Sequence, residues 1–183
     1  MIILVIASLI ASYLLGSIPS AYIAGRLLGN IDIREQGSGN VGTMNTREVL
    51  GWPAAAAVFV CDLGKGMLAV YINHWTGTGT MLLAAMAVLG HCYPLWLGFR
   101  GGKGLATALG AFLAAGQPWP IAAFVSGWLL TYPLFKQVDR SNLAGILAVL
   151  VYSLLRGPDW WMGLLAGLIA VRHIQALASK PAV

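Results

Sequence analysis

Residues 2–28 read IILVIASLIASYLLGSIPSAYIAGRLL, with no acidic residue and no basic one before Arg26. A helix crosses the hydrocarbon core of a bilayer with about 20 mostly apolar residues. This run is long enough and carries no charged face, so lipid is its solvent. Met1 to Ile18 lacks the basic start and the small-residue cleavage site of a secretory signal, and it is expected to stay in place as a first span. The rest of the chain has the same character. Of 183 residues, 58% are hydrophobic and 9% charged, against about 45–50% and 25% in a soluble domain.

Further apolar runs, each closed by Gly, Pro or charge, lie at Trp52–Trp75, Thr80–Leu97, Gly104–Ala115, Trp119–Phe135, Leu143–Leu155 and Trp160–Ala178. With Ile2–Leu28 they predict an all-α integral membrane protein of seven transmembrane helices, one polytopic domain over residues 1–183. The fourth and sixth spans are short enough to need tilt or a locally thin membrane; six spans result if the fourth is only half inserted. Loops rich in Lys and Arg stay in the cytoplasm. With seven spans, Arg26, Arg34, Arg47, Arg100, Lys103, Lys136, Arg140, Arg172 and Lys180 share one face and Arg156 alone marks the other. The N-terminus is then outside and the C-terminus cytoplasmic.

Trp75, Trp119, Trp160 and Trp161 fall near outer span ends, where amphipathic rings prefer the interface. Gly163 and Gly167 form a GxxxG pair, expected to let the last helix approach a neighbour closely. Cys61 and Cys92 have no second Cys or His at ligand spacing, which predicts buried free thiols and neither a disulfide nor a zinc site.

The net charge of +5 follows in part from topology, since basic loops also meet anionic head groups. Topology does not explain why the basic residues keep company with Gly, Ser, Asn and Thr. Residues 37–47, GSGNVGTMNTR, could expose consecutive backbone N–H groups as an anion-binding nest, with Arg47 adding a planar fork suited to phosphate. An isolated Gly-rich stretch can equally be a turn-forming loop. Residues 99–107, FRGGKGLAT, carry the stronger signal. Glycines directly before a helix bring backbone donors and the positive end of its dipole to one point, where Arg100 and Lys103 add charge. The spacing is not that of a nucleotide-binding P-loop, because Gly104 follows Lys103 where Ser or Thr is needed.

Asp62 and Lys65 lie three apart inside the second span, on one helical face, where a charge costs several kcal/mol unless paired. They are expected to pair with each other or with loop residues, fixing helix positions or orienting the phosphate pocket. His91 and His173 sit at cytoplasmic span ends and can face the same basin, and Arg140, Ser141 and Asn142 offer donors from a third loop. Three donor-rich loops on a hydrophobic bundle suit a substrate with an anionic head and a fatty tail. The sequence has no pair of buried carboxylates, metal cluster or Ser-His-Asp grouping, so the chemistry should rest on positioning and charge stabilisation of an already reactive substrate.

From about Tyr13 to His173 the chain resembles the bacterial membrane acyltransferases that transfer a fatty acyl group from acyl phosphate to glycerol 3-phosphate. The resemblance is carried by Gly16-Ser17-Ile18, Gly37-Ser38-Gly39-Asn40 with Gly42 and Asn45, Asp62 with Lys65-Gly66, Gly90-His91 with Pro94, and Phe99 to Thr107. It implies seven helices, lysophosphatidic acid and phosphate as products, and no metal or cofactor. The implied partners are acyl phosphate, glycerol 3-phosphate and membrane lipid, with an acyl-phosphate-forming enzyme upstream and no nucleic acid; the implied place is the bacterial inner membrane.

Ser38, Arg47, Lys103 and His91 form the expected catalytic group. Gly39, Asn40, Gly42, Thr43 and Asn45, with Gly101, Gly102, Gly104 and Thr107, and with Ser141, Asn142 and His173, are the expected phosphate-binding set; Asp62 and Lys65 orient them. The chain departs from the family at Gly42-Thr43-Met44-Asn45, where Gly-Ala-Thr-Asn is usual, at Asn142-Leu143-Ala144, where Ser leads, and at Ile174-Gln175, where an Asn and a basic stretch normally follow. These departures leave open a relative with another acceptor or none. An anion transporter is less compatible, since its site belongs near the bilayer midplane and these residues gather at one face.

Overall fold

The computed structural model describes residues 2–157 and 159–178, and Lys180 falls outside them. Ten α-helices follow in order among the described residues: α1 (Ile2–Ser17), α2 (Ser20–Gly29), α3 (Thr43–Leu50), α4 (Trp52–Tyr71), α5 (Asn73–Thr76), α6 (Thr80–Cys92), α7 (Leu105–Ala114), α8 (Pro118–Phe135), α9 (Val138–Arg156) and α10 (Trp160–Ala178). Among the described residues, five stretches are long and apolar enough to cross a membrane: Ile2–Gly29, Trp52–Thr76, Thr80–Leu97, Val138–Arg156 and Trp160–Ala178. α8 has the length, with 18 residues, but its Trp, Tyr and Pro content dilutes its hydropathy. α7, with 10 residues, reaches only about 15 Å at 1.5 Å per residue.

Several boundaries differ from the sequence reading. The first run is broken at Ile18-Pro19, because proline supplies no N–H and cannot continue the ladder. Thr43 to Arg47 lie on α3 and not in a loop. The sixth run begins earlier than expected, at Val138, so Arg140, Ser141 and Asn142 belong to the first turns of α9. Cys92 is buried as expected, but Cys61 is exposed on α4; its neighbour Asp62 takes the inward face, and residues adjacent in a helix point about 100° apart.

Three helix pairs are set by reciprocal glycines. A Cβ on Gly16 of α1 would strike the Ala87 carbonyl, and one on Gly90 of α6 would strike that of Tyr13. Gly66 of α4 meets the Thr107 carbonyl and Gly110 of α7 that of Leu63 in the same way. In the third pair, a Cβ on Gly127 of α8 would lie 2.9 Å from the Ala144 carbonyl and one on Gly145 of α9 2.8 Å from that of Phe124. Small residues at a crossing let backbones touch, which is how helices associate without a hydrophobic drive in lipid. Gly163 and Gly167 do not do this. A Cβ on either would meet nothing within 4 Å, so the expected GxxxG contact is absent among the described residues.

Gly66→Ala is therefore expected to lower stability in detergent by about 1–3 kcal/mol, the ordinary cost of overpacking, whereas Gly167→Ala should change it by no more than about 0.5 kcal/mol, as surface substitutions do. Thermal unfolding of the two variants side by side checks the assignment; equal losses would remove the distinction between crossing and outward glycines.

Candidate active site

The first polar segment is braced from within. Asn45 is 1% exposed, and its amide donates to the carbonyls of Ile33 and Gln36, each at 3.1 Å, while its Oδ1 accepts from the Ser38 N–H at 2.9 Å. Gly37, at φ +54°, has the Asn45 Oδ1 where a Cβ would go. The N–H of Gly39 bonds the Gln36 carbonyl at 2.9 Å and that of Gly42 the Asn40 carbonyl at 3.1 Å. The N–H groups of Ser38, Gly39 and Gly42 are therefore spent on the loop itself, whereas the first bond of α3 comes only from Thr46 N–H to the Gly42 carbonyl, so the N–H groups of Thr43, Met44 and Asn45 precede its ladder.

Asp32 starts the segment. It accepts from the Arg34 Nε at 2.9 Å and from a terminal Arg34 nitrogen at 2.6 Å, and these hydrogen bonds hold its carboxyl down at about 2. Arg34 also reaches the Leu97 carbonyl at 3.4 Å, tying the first segment to the second.

In the second segment, Gly101 N–H donates to the Cys92 carbonyl at 3.2 Å and Gly102 N–H to that of His91 at 3.1 Å. Side chains there would collide with the His91 carbonyl or ring. From the other side Arg172 of α10 donates to the carbonyls of Gly101 at 2.7 Å and Gly102 at 3.0 Å. The turn is thus stitched between α6 and α10, with Lys103 at its end and Gly104, at φ +87°, capping α7. The first helical bond of α7 comes from Ala108 N–H to the Gly104 carbonyl at 2.9 Å, so the N–H groups of Leu105 and Ala106 precede the ladder.

These segments enclose an open cleft of about 340 Å³. Arg34, Ser38, Gly39 and Asn40 line one wall, Phe99, Arg100, Gly101 and Lys103 the second, and Arg172, Gln175 and Ala176 the third. Of the residues predicted from sequence, Ser38, Gly39, Asn40, Gly101 and Lys103 come together here. Arg47 does not line the cleft; it is exposed on α3 with its guanidinium 5.0 Å from the centre of the Trp52 ring. Gly42, Thr43, Gly102 and Gly104 shape the surrounding backbone, and Asn142 is buried in α9. Thr107 is buried at the α4–α7 crossing. Ser141 is buried too, with its hydroxyl donating to the Gln137 carbonyl at 3.1 Å.

Behind the cleft lie two charge clusters. Lys65 Nζ is 2.9 Å from Asp62 Oδ1 and donates to the Ile18 carbonyl at 2.9 Å, satisfying an acceptor at the break between α1 and α2. The His91 Nδ1 lies 3.7 Å from the same carboxylate. All three side chains are buried, so His91 supports the Gly101-Gly102 turn from below and does not face the cleft. In the second cluster Lys103 pairs with Asp139, whose Oδ1 is also 3.0 Å from His173 Nδ1. Asp139 is not legible as a site residue in the sequence, and Arg172 reads there only as a topological charge. An acid at a helix start ordinarily just complements the helix dipole.

An apolar groove of about 220 Å³ is lined by residues that follow or precede those of the cleft along the chain. Leu105 and Ala106, just beyond Lys103, line its near end, and Ile169 lines it one turn before Arg172 on α10. Phe112, Phe124 and Val149 carry it into the bundle.

Residues 6–179 match the family model described as glycerol-3-phosphate acyltransferase. The glycerol-3-phosphate acyltransferase of Synechococcus elongatus is 39% identical over 188 residues, covering 94% of this chain and 89% of its own length. That of Zymomonas mobilis is 41% identical over 152 residues, 76% of this chain and 70% of the relative. Crystal structures of PlsY (YgiH), an integral membrane glycerol 3-phosphate acyltransferase, superpose with a TM-score of 0.83 at 30% identity in the glycerol 3-phosphate form and 0.81 at 28% identity in the lysophosphatidic acid form, covering 95% of this chain and 90% of that one in each case. The helical architecture, the five stretches long and apolar enough to cross a membrane and the likeness to PlsY make this a membrane-bound protein. By sequence and by fold, the chain belongs to the glycerol-3-phosphate acyltransferase family.

Proposed function

We propose that this chain transfers a fatty acyl group from acyl phosphate to glycerol 3-phosphate, giving lysophosphatidic acid and inorganic phosphate. The observation that carries the reading is the start of α7, where Lys103 lines a cation-rich polar cleft and Leu105 and Ala106, two and three residues on, line an apolar groove. A donor with a phosphate head and a fatty tail fits such an arrangement, and family membership supports the acceptor.

In the proposed step the glycerol hydroxyl oxygen attacks the acyl carbon, the bond from that carbon to the phosphate oxygen breaks, and the hydroxyl proton passes to a phosphate oxygen. A mixed anhydride is activated already, so positioning and charge stabilisation supply the catalysis. Lys103 and Arg100 neutralise phosphate, Ser38 and Asn40 orient it, and the Leu105 and Ala106 N–H groups with Lys103 stabilise the tetrahedral oxyanion. His91, Asp62 and Lys65 hold the turn, and Arg47 acts outside the cleft. Because acyl phosphate is reactive, an enzyme that forms it must supply it at the same membrane.

The arrangement in the membrane is also proposed: one domain in the bacterial inner membrane, with α1 and α2 together and then α4, α6, α7, α8, α9 and α10 as seven crossings, the N-terminus outside and the cleft and C-terminus cytoplasmic. The charge pattern supports it, since Arg26, Arg34, Arg100, Lys103, Lys136, Arg140 and Arg172 gather at one set of helix ends under seven crossings while Arg156 lies at the other. Gln175 and Ala176 line the cleft where the sequence departs from its family, so another polyol phosphate as acceptor is the second reading.

Lys103→Ala is expected to reduce kcat/KM for acyl transfer by about 100-fold or more, the range seen when one charge-stabilising donor is lost, with helical content unchanged; a folded variant of undiminished activity would refute its role. Ser38→Ala should raise the KM for palmitoyl phosphate several-fold. A change confined to purification yield would instead make Ser38 a turn residue, as the bond from its N–H to Asn45 already allows.

A further inference from the structure

Lys103 is the cation on which the proposed chemistry turns, yet a lysine ammonium rides on a flexible four-carbon stem. Its position here is set from behind. Asp139, in the first turn of α9, pairs with Lys103 Nζ, and the same carboxylate oxygen lies 3.0 Å from His173 Nδ1 on α10. The Lys103 side chain is 22% exposed and lines the cleft, while those of Asp139 and His173 are 6% and 1% exposed. The carboxylate is thus buried in the bundle, and among the described cleft-lining residues it pairs with the lysine. An ammonium has three N–H donors. One is directed to Asp139, and Lys103 has no other partner among the described residues.

We propose that Asp139, anchored by His173, is a positioning residue that fixes the Lys103 ammonium at the edge of the cleft, leaving its two remaining donors for a substrate phosphate. The inference rests on the acyltransfer reading for the identity of that phosphate. The carboxylate is not a rival for the same donors, because an ammonium can bond Asp139 and two phosphate oxygens at once. The substrate meets a lysine already in place and does not have to order it.

The test is a double-mutant cycle on kcat/KM with palmitoyl phosphate and glycerol 3-phosphate, using Asp139→Ala, Lys103→Ala and both together. Asp139→Ala is expected to lower kcat/KM by about 100-fold, as small misplacements of a catalytic group do, and mainly through kcat. The double variant should be no worse than Lys103→Ala alone, since residues acting through one another are not additive, and Asp139→Glu should recover part of the loss. If Asp139→Ala does not fold, the near-isosteric Asp139→Asn takes its place in the cycle. Additive losses, or full activity without the carboxylate, would overturn the proposal. So would tighter binding of inorganic phosphate by Asp139→Asn, which would make Asp139 a competitor. Calorimetry with inorganic phosphate needs no turnover. If the wild-type chain fails to turn over but Asp139→Asn and Lys103→Ala weaken phosphate binding equally, the positioning role stands and the acyltransfer reading falls.

Discussion

Close backbone contact between helices is the constraint on which the rest of this molecule depends. At Gly66 and Gly110, at Gly16 and Gly90, and at Gly127 and Gly145, one helix presses its missing side chain against a carbonyl of its partner. In lipid no hydrophobic gain drives such pairs together, and close van der Waals contact takes that part. The consequence reaches the cleft directly. Gly90 fixes α6, whose last turn carries His91 and Cys92, and the carbonyls of those two residues accept the bonds that hold Gly101 and Gly102. Gly66 and Gly110 fix α7, which begins just after Lys103.

Charge inside the bundle is handled by pairing, and each pair also has a mechanical effect. An unpaired charge at membrane depth costs several kcal/mol, so Asp62 and Lys65 occur together, and the lysine spends a further donor on the Ile18 carbonyl where Pro19 interrupts the first span. The break between α1 and α2 thereby becomes a fixed bend. Around the cleft, Arg34 is held by Asp32, Arg172 by two turn carbonyls and Lys103 by Asp139. Three of the cations lining the cleft are therefore held before any ligand arrives, while the groove lined by Leu105 and Ala106 offers an almost wholly apolar wall. That combination suits a reaction in which a reactive anhydride needs orientation more than activation.

Much of this could be read from the sequence. Hydrophobic run length located the long helices from Ile2 to Ala178, the three-residue spacing placed Asp62 with Lys65, and the Gly-rich segments around Ser38 and Lys103 do share one cleft. What escaped involves contacts between residues far apart in the chain. Lys103 and Asp139 are 36 positions apart, and Arg172 and Gly102 are 70, and local pattern is silent about such pairs. Composition is also ambiguous where a residue type has two uses. Asn45 reads as a ligand donor and also braces its own loop, Arg47 reads as a phosphate fork and lies over the Trp52 ring, and the GxxxG of Gly163 and Gly167 meets nothing among the described residues because α10 uses other residues for its packing.

The central claim is that the cleft and the groove together handle one acyl phosphate and pass its acyl group to glycerol 3-phosphate. Purified protein should release phosphate from palmitoyl phosphate in a manner that depends on glycerol 3-phosphate, with lysophosphatidic acid formed in equal amount. Folded protein that releases no phosphate, or releases it at the same rate without the acceptor and forms no lysophosphatidic acid, would contradict the account.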